Sequence, residues 1–128
     1  NGNPEPMHIE VTKKTLQKSG QEVFDFLTDI KNFETLMPEN IDKFELLDEK
    51  TFKFALSGMP EIVLRLKEEH PYEKVVLGAA SDKLPFTLTA DINSISENES
   101  EVGLSFEGQF NAMMAMMIKS PITNFMET

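Results

Sequence analysis

The sequence predicts an α+β domain: a curved, seven-stranded antiparallel sheet wrapped around a long C-terminal helix, with two short helices between strands 1 and 2. Three observations predict it. Apolar and polar residues alternate with period two almost without interruption from Phe44 to Phe110, as strands with one dry and one wet face require. Ser19-Gly20-Gln21-Glu22 is a capping box that opens a helix soon after the first strand. Beyond Phe110 the apolar spacing changes to that of a helix.

Each element follows in order. The polar residues 1–7, beginning NGNPEP, read as a flexible leader, and a single domain spans 8–128. Ile9 and Val11 alternate with His8, Glu10 and Thr12 in the first strand, and the alternation loses phase at Lys13-Lys14, where a bulge is expected. After the capping box, Val23, Phe24, Phe26, Leu27 and Ile30 give the first helix an apolar face. A second short helix fits Asn32 to Met37 and stops at Pro38. Six strands then follow with short connections, so an antiparallel meander is the natural topology. Their inward sets are Phe44 and Leu46; Phe52, Phe54 and Leu56; Ile62, Leu64 and Leu66; Val75, Leu77 and Ala79; Phe86, Leu88, Ala90 and Ile92; and Val102, Leu104, Phe106 and Phe110.

Residues 112–128 form the closing helix. At 100° per residue, Met114, Met117, Ile118, Pro121, Ile122 and Phe125 share one side, and Lys119, Ser120, Thr123, Asn124 and Glu127 the other. Met113 falls at the margin and Met116 among the polar residues, so the methionine cluster is split by the helical phase. Methionine fills irregular cores and also lines adaptable binding surfaces.

Composition narrows the function. The chain has 128 residues, 40% hydrophobic and 27% charged, with a net charge of −10. That charge repels phosphate, so nucleic acid and anionic membrane surfaces are not expected partners. With 0 cysteines, disulfides, thiolate catalysis and Cys-based metal sites are excluded, and a reducing cytoplasm is the expected compartment. No apolar run approaches the roughly 18 residues of a membrane span.

Candidate chemistry is sparse. His8 and His70 are the 2 histidines, and neither lies on the apolar face. Their spacing suggests no metal site, and no metal or cofactor is expected. Asp91 and Glu107 occupy polar strand phases, as do Arg65 and Lys67. Acid–base catalysis needs carboxylates that break the apolar phase, and none does so clearly. Lys13 is the exception among cations: counted from Ile9 it points inward, where it can meet a ligand carboxylate, unless the bulge turns it out. Tyr72 sits in a turn, as a rim hydroxyl or a structural ring. No nucleotide loop, nucleophile elbow or metal motif is present, so no catalytic residues are assigned.

Two segments carry a resemblance. Ser19-Gly20-Gln21-Glu22-Val23-Phe24-Asp25-Phe26-Leu27-Thr28-Asp29 resembles the first helix of the START/Bet v 1-like (SRPBCC) superfamily. Leu104-Ser105-Phe106-Glu107-Gly108-Gln109-Phe110-Asn111-Ala112-Met113-Met114 is similar to that superfamily's passage into its last helix. The resemblance covers residues 8–128 and implies a helix-grip fold, with an apolar cavity between sheet and C-terminal helix. Members bind lipids, sterols, hormones or polyketides, and some are aromatase/cyclases or assist chaperones. No shared catalytic set is implied.

The leading expectation is a small cytoplasmic protein that binds a hydrophobic or amphipathic small molecule, lipid or polyketide-like. Its cavity would be lined by Phe52, Phe54, Leu64, Leu77, Phe86, Leu88 and Phe106 of the sheet, with Met114, Met117, Ile118 and Phe125 of the last helix. Two alternatives stay open. One is a polyketide cyclase/dehydratase-type enzyme, which needs polar groups inside the cavity. The other is a protein-interaction or chaperone-assisting module whose phenylalanines simply fill the interior. Oligomeric state is not legible in the sequence.

Overall fold

The computed structural model describes residues 5–37, 39, 41–58, 61–80, 85–110, 119 and 123. The expected C-terminal helix, with Met114, Met117, Ile118 and Phe125, lies outside the described residues, apart from Lys119 and Thr123, both helical.

Seven strands form one antiparallel sheet in the order β1-β7-β6-β5-β4-β3-β2. They are β1 (Glu5–Leu16), β2 (Ile41–Leu46), β3 (Thr51–Leu56), β4 (Ile62–His70), β5 (Lys74–Ala79), β6 (Phe86–Ser96) and β7 (Glu99–Phe110). Strands 2 to 7 are a plain meander. The last strand then pairs with the first, Ile9 opposite Phe106 and Val11 opposite Leu104. Between β1 and β2 come α1 (Gly20–Thr28), a 3-10 turn (Ile30–Asn32) and α2 (Phe33–Leu36).

Two boundaries differ from expectation. Residues 5–7, assigned to a flexible leader, belong to β1: Glu5, Pro6 and Met7 pair with Phe110, Gln109 and Gly108. Met7 is buried, which gives this polar-looking start an apolar anchor. The single short helix expected over Asn32 to Met37 is a 3-10 turn running into α2.

Sequence chemistry explains α1. Ser19 Oγ accepts from the Glu22 backbone N–H at 3.0 Å, and the Ser19 N–H donates to Glu22 Oε1 at 2.9 Å. Together they satisfy two amides that a helix start leaves bare. At the other end, Asn32 Nδ2 donates to the Phe26 carbonyl at 3.0 Å and ties the 3-10 turn back to α1.

The helices cover one face of the sheet, with α1 lying over β5, β6 and β7. Val23, Phe24, Ile30 and Phe33 from this segment join Phe52, Phe54, Leu64, Leu66, Val75, Leu77, Ala90 and Ile92 in one buried cluster. Burial of such side chains contributes about 1.5–3 kcal/mol each. The opposite face carries His8, Glu10, Lys53, Arg65, Asp91 and Glu107 in the alternate phase.

Candidate functional site: an apolar cavity under the helices

Between the helices and the sheet lies a cavity of about 140 Å³. Leu27 of α1 and Phe33 and Leu36 of α2 form its roof. Phe52, Leu64, Val75, Leu77, Leu88, Ala90 and Leu104, contributed by β3 to β7, form its floor. Cross-strand register builds that floor: Phe52 faces Leu64, Leu77 faces Leu88, and Ala90 sits between Val75 and Leu104. All ten of the described lining side chains are hydrocarbon.

A larger trough of about 650 Å³ adjoins the cavity and shares Leu27, Leu36 and Leu104 with it. Its walls are Val11, Thr12, Lys14 and Leu16 of β1, Lys18, Val102 of β7, and Glu22, Val23, Asp25 and Phe26 of α1. Leu16, Phe26 and Leu36 are 37%, 38% and 37% exposed around it, an unusual grouping of large apolar side chains in contact with solvent. The trough falls within the ~300–1,000 Å³ range of small-molecule pockets, whereas the cavity alone is smaller.

Of the residues expected to line a ligand cavity, Phe52, Leu64, Leu77 and Leu88 meet at the 140 Å³ space. Phe54 is buried but stacks behind Phe52, 6.0 Å between ring centroids. Phe106 is buried against Phe86, 5.4 Å away, and Phe86 borders a separate depression at the edge of β6, away from the cavity. Phe86 and Phe106 are not among the described residues that line this cavity, which lies under α1 and α2, whereas the ligand cavity expected from the sequence lies under the C-terminal helix, outside the described residues. Leu27, Phe33 and Leu36 were missed because a helix roof cannot be placed over a sheet from periodicity alone. Their apolar spacing was the available signal.

Lys14, Lys18, Glu22 and Asp25 line the trough, and the other titratable groups singled out in the sequence lie away from both spaces. His8 Nδ1 is 3.2 Å from Glu107 Oε2, and His70 Nε2 is 3.0 Å from Glu68 Oε1, both pairs exposed. Asp91 lies 4.0 Å from Lys74 on the outer face. His70 is the last residue of β4. The Tyr72 ring packs edge-on against Phe24 at 5.4 Å, a structural role for the lone tyrosine. Among the described residues, no group of three metal-ligating side chains comes together. The hydrogen bond from the Ser19 backbone holds the Glu22 carboxyl below its usual value, and the Lys43 ammonium does the same for Glu61. Both are surface groups.

No family model matches this chain, and no curated protein matches it. Solved structures do. A norcoclaurine synthase from Thalictrum flavum superposes with a TM-score of 0.72 at 8% identity, covering 94% of this chain and 86% of that one. The Zhui aromatase/cyclase from a Streptomyces species gives 0.66 at 10% identity, covering 94% and 90%. An uncharacterised protein from Bacillus thuringiensis gives 0.62 at 12%, covering 94% and 97%. The chain thus has the START/Bet v 1-like (SRPBCC) fold. At these identities the likeness is one of backbone architecture, and no residue role is carried across.

Proposed function

We propose that this protein is a cytoplasmic binder of a hydrophobic or amphipathic small molecule, lipid or polyketide-like. The ligand occupies the cavity and the trough beside it. The observation that carries this reading is the all-hydrocarbon lining, among the described residues, of the 140 Å³ cavity, which shares Leu27, Leu36 and Leu104 with a trough of ligand size. Burial of ligand surface there contributes about 25 cal/mol per Å², less the cost of ordering. The fold is compatible with such a role, since a structure of norcoclaurine synthase is a complex with dopamine and hydroxybenzaldehyde. A cyclase-type reaction needs a proton donor or acceptor beside the substrate. The described lining of the cavity offers none, whereas Lys14, Lys18, Glu22 and Asp25 line the trough, so the binding reading is preferred for a ligand whose reactive part would lie in the cavity.

Native mass spectrometry of the protein purified from its host, with titration by a solvatochromic dye, tests the proposal. Retained lipid-like mass or saturable dye binding at one site per chain is expected. If a folded protein carries no such mass and binds no dye, the interaction-module reading replaces this one.

A further inference from the structure

We propose that two copies of this chain associate edge to edge through β2, with the two-fold axis at Phe44. The sheet order ends at β2, and among the described residues no strand lies beyond it. Asp42, Lys43, Glu45 and Leu46 of this strand are exposed. Leu46 and Leu47 are large apolar residues left 49% and 46% exposed at its end. Backbone direction decides which residues can pair outward. The Leu47 N–H donates to the Thr51 carbonyl at 2.9 Å. Direction alternates along a strand, so Glu45 and Lys43 also turn their backbone groups toward β3, opposite Lys53 and Ala55. The next strand agrees: the Leu66 N–H donates to the Lys50 carbonyl at 2.8 Å, so the even positions there serve β4. Phe44 and Leu46 therefore turn their N–H and C=O groups outward, where a second β2 can bond to them.

Side-chain order then selects the register. Two antiparallel strands related by a two-fold axis set one residue opposite its own copy. With Phe44 at the axis, Lys43 stands opposite the second copy's Glu45, and Glu45 opposite the second copy's Lys43. With Lys43 or Glu45 at the axis, like charges would face each other directly, which destabilises the pair. Charges on an edge strand ordinarily guard it against pairing. Here their order within the strand admits one register in which both facing pairs are opposite in sign. Lys43 Nζ lies 2.7 Å from Glu61 Oε2, and Lys53 Nζ lies 3.6 Å from Glu45 Oε1. Across the seam these join into two rows of alternating sign, each running from Glu61 and Lys43 of one copy to Glu45 and Lys53 of the other. The bulge between Ile41 and Lys43 ends the regular edge, so the ladder is short and the association weak.

Sedimentation velocity on the full chain tests this, with Lys43→Glu, Glu45→Lys and an equimolar mixture of the two. Wild type at roughly 100 μM, where small interfaces begin to fill, should show a monomer–dimer equilibrium. Each variant alone sets like charges together at both ends of the seam and should weaken self-association roughly tenfold. The mixture should dimerise at least as tightly as wild type, because one chain then offers two acids at these positions and the other two bases. Urea midpoints establish that each variant is folded. A wild type that stays monomeric overturns the proposal. Single variants that associate as wild type does put the contact elsewhere on the molecule, and a mixture that associates no better than its parts rejects the register; either result overturns it too.

Discussion

The ring of Phe33 in α2 lies 5.2 Å from the ring of Phe52 in β3, tilted by only 13°. Phe52 also stacks on Phe44 of β2 at 5.4 Å, so the contact joins the short helix to the edge of the sheet. Both Phe33 and Phe52 border the cavity, and both are almost wholly buried. Truncating a buried phenylalanine loses transfer energy and leaves a void. Phe33→Ala is expected to destabilise the fold by about 3–4 kcal/mol, read from urea unfolding. An unchanged midpoint would mean that α2 is not docked as described.

Ser100 gives an effect of opposite sign. It is 0% exposed on β7, and its Oγ has no hydrogen-bond partner among the described residues. An unpaired buried hydroxyl costs about 1–3 kcal/mol of desolvation. Ser100→Ala deletes that oxygen and little else. Its unfolding midpoint should equal or exceed that of wild type. A loss above about 1 kcal/mol would reveal a hydrogen bond to that oxygen.

The capping box sets a pH dependence. Glu22 has its pKa lowered from 4.5, first by the Ser19 backbone hydrogen bond. A carboxyl whose folded pKa lies below its unfolded one stabilises the fold above the unfolded value, and that stability is lost as pH falls through the folded value. Asp48, held low by the Lys50 backbone N–H, and Glu61 act in the same direction. Urea midpoints should fall as pH drops from 6 to 3. Glu22→Gln should start lower at pH 6 and fall less steeply, the remaining slope coming from Asp48 and Glu61. Ser19→Ala should cost about 1 kcal/mol near neutrality. Parallel acid limbs for wild type and Glu22→Gln would reject the assignment.

Much of this architecture was legible in the chain because strands with one dry face announce themselves by period two. The inward sets Phe52 and Phe54, Leu64 and Leu66, and Val75 and Leu77 all fall in the buried cluster. The capping residues Ser19 and Glu22 were equally plain, since their geometry is local. Long-range relations were not. Pairing with β7 draws residues 5–7 into β1, and no local pattern announces that. A bulge was visible as lost phase, but only the pairing with Gly103 shows that Lys14, not Lys13, faces the trough. Phe54 and Phe106 share the inward phase with cavity residues yet do not line the 140 Å³ space, Phe54 stacking on Phe52 and Phe106 packing against Phe86. Phase selects a face of the sheet. Whether a side chain on that face borders a space or fills one depends on where the helices rest.

Ala90 separates ligand binding from stability. It lies on the cavity floor between Val75 and Leu104, 7% exposed, with the helix roof of Leu27 and Phe33 also lining the space. Ala90→Leu adds an isopropyl group where the 140 Å³ space already exists. Filling a void gains contacts, while any overpacking costs about 1–3 kcal/mol. The thermal midpoint should therefore change little, but the space for a hydrocarbon tail is taken. Thr89→Leu is the matched control, because Thr89 pairs with Val76 and Ser105 in the opposite phase. Dye titration should show at least a tenfold loss of affinity, about 1.4 kcal/mol, for Ala90→Leu and wild-type binding for Thr89→Leu. If Ala90→Leu is folded and binds as wild type does, the ligand does not enter this cavity, and the trough alone would be left to hold it.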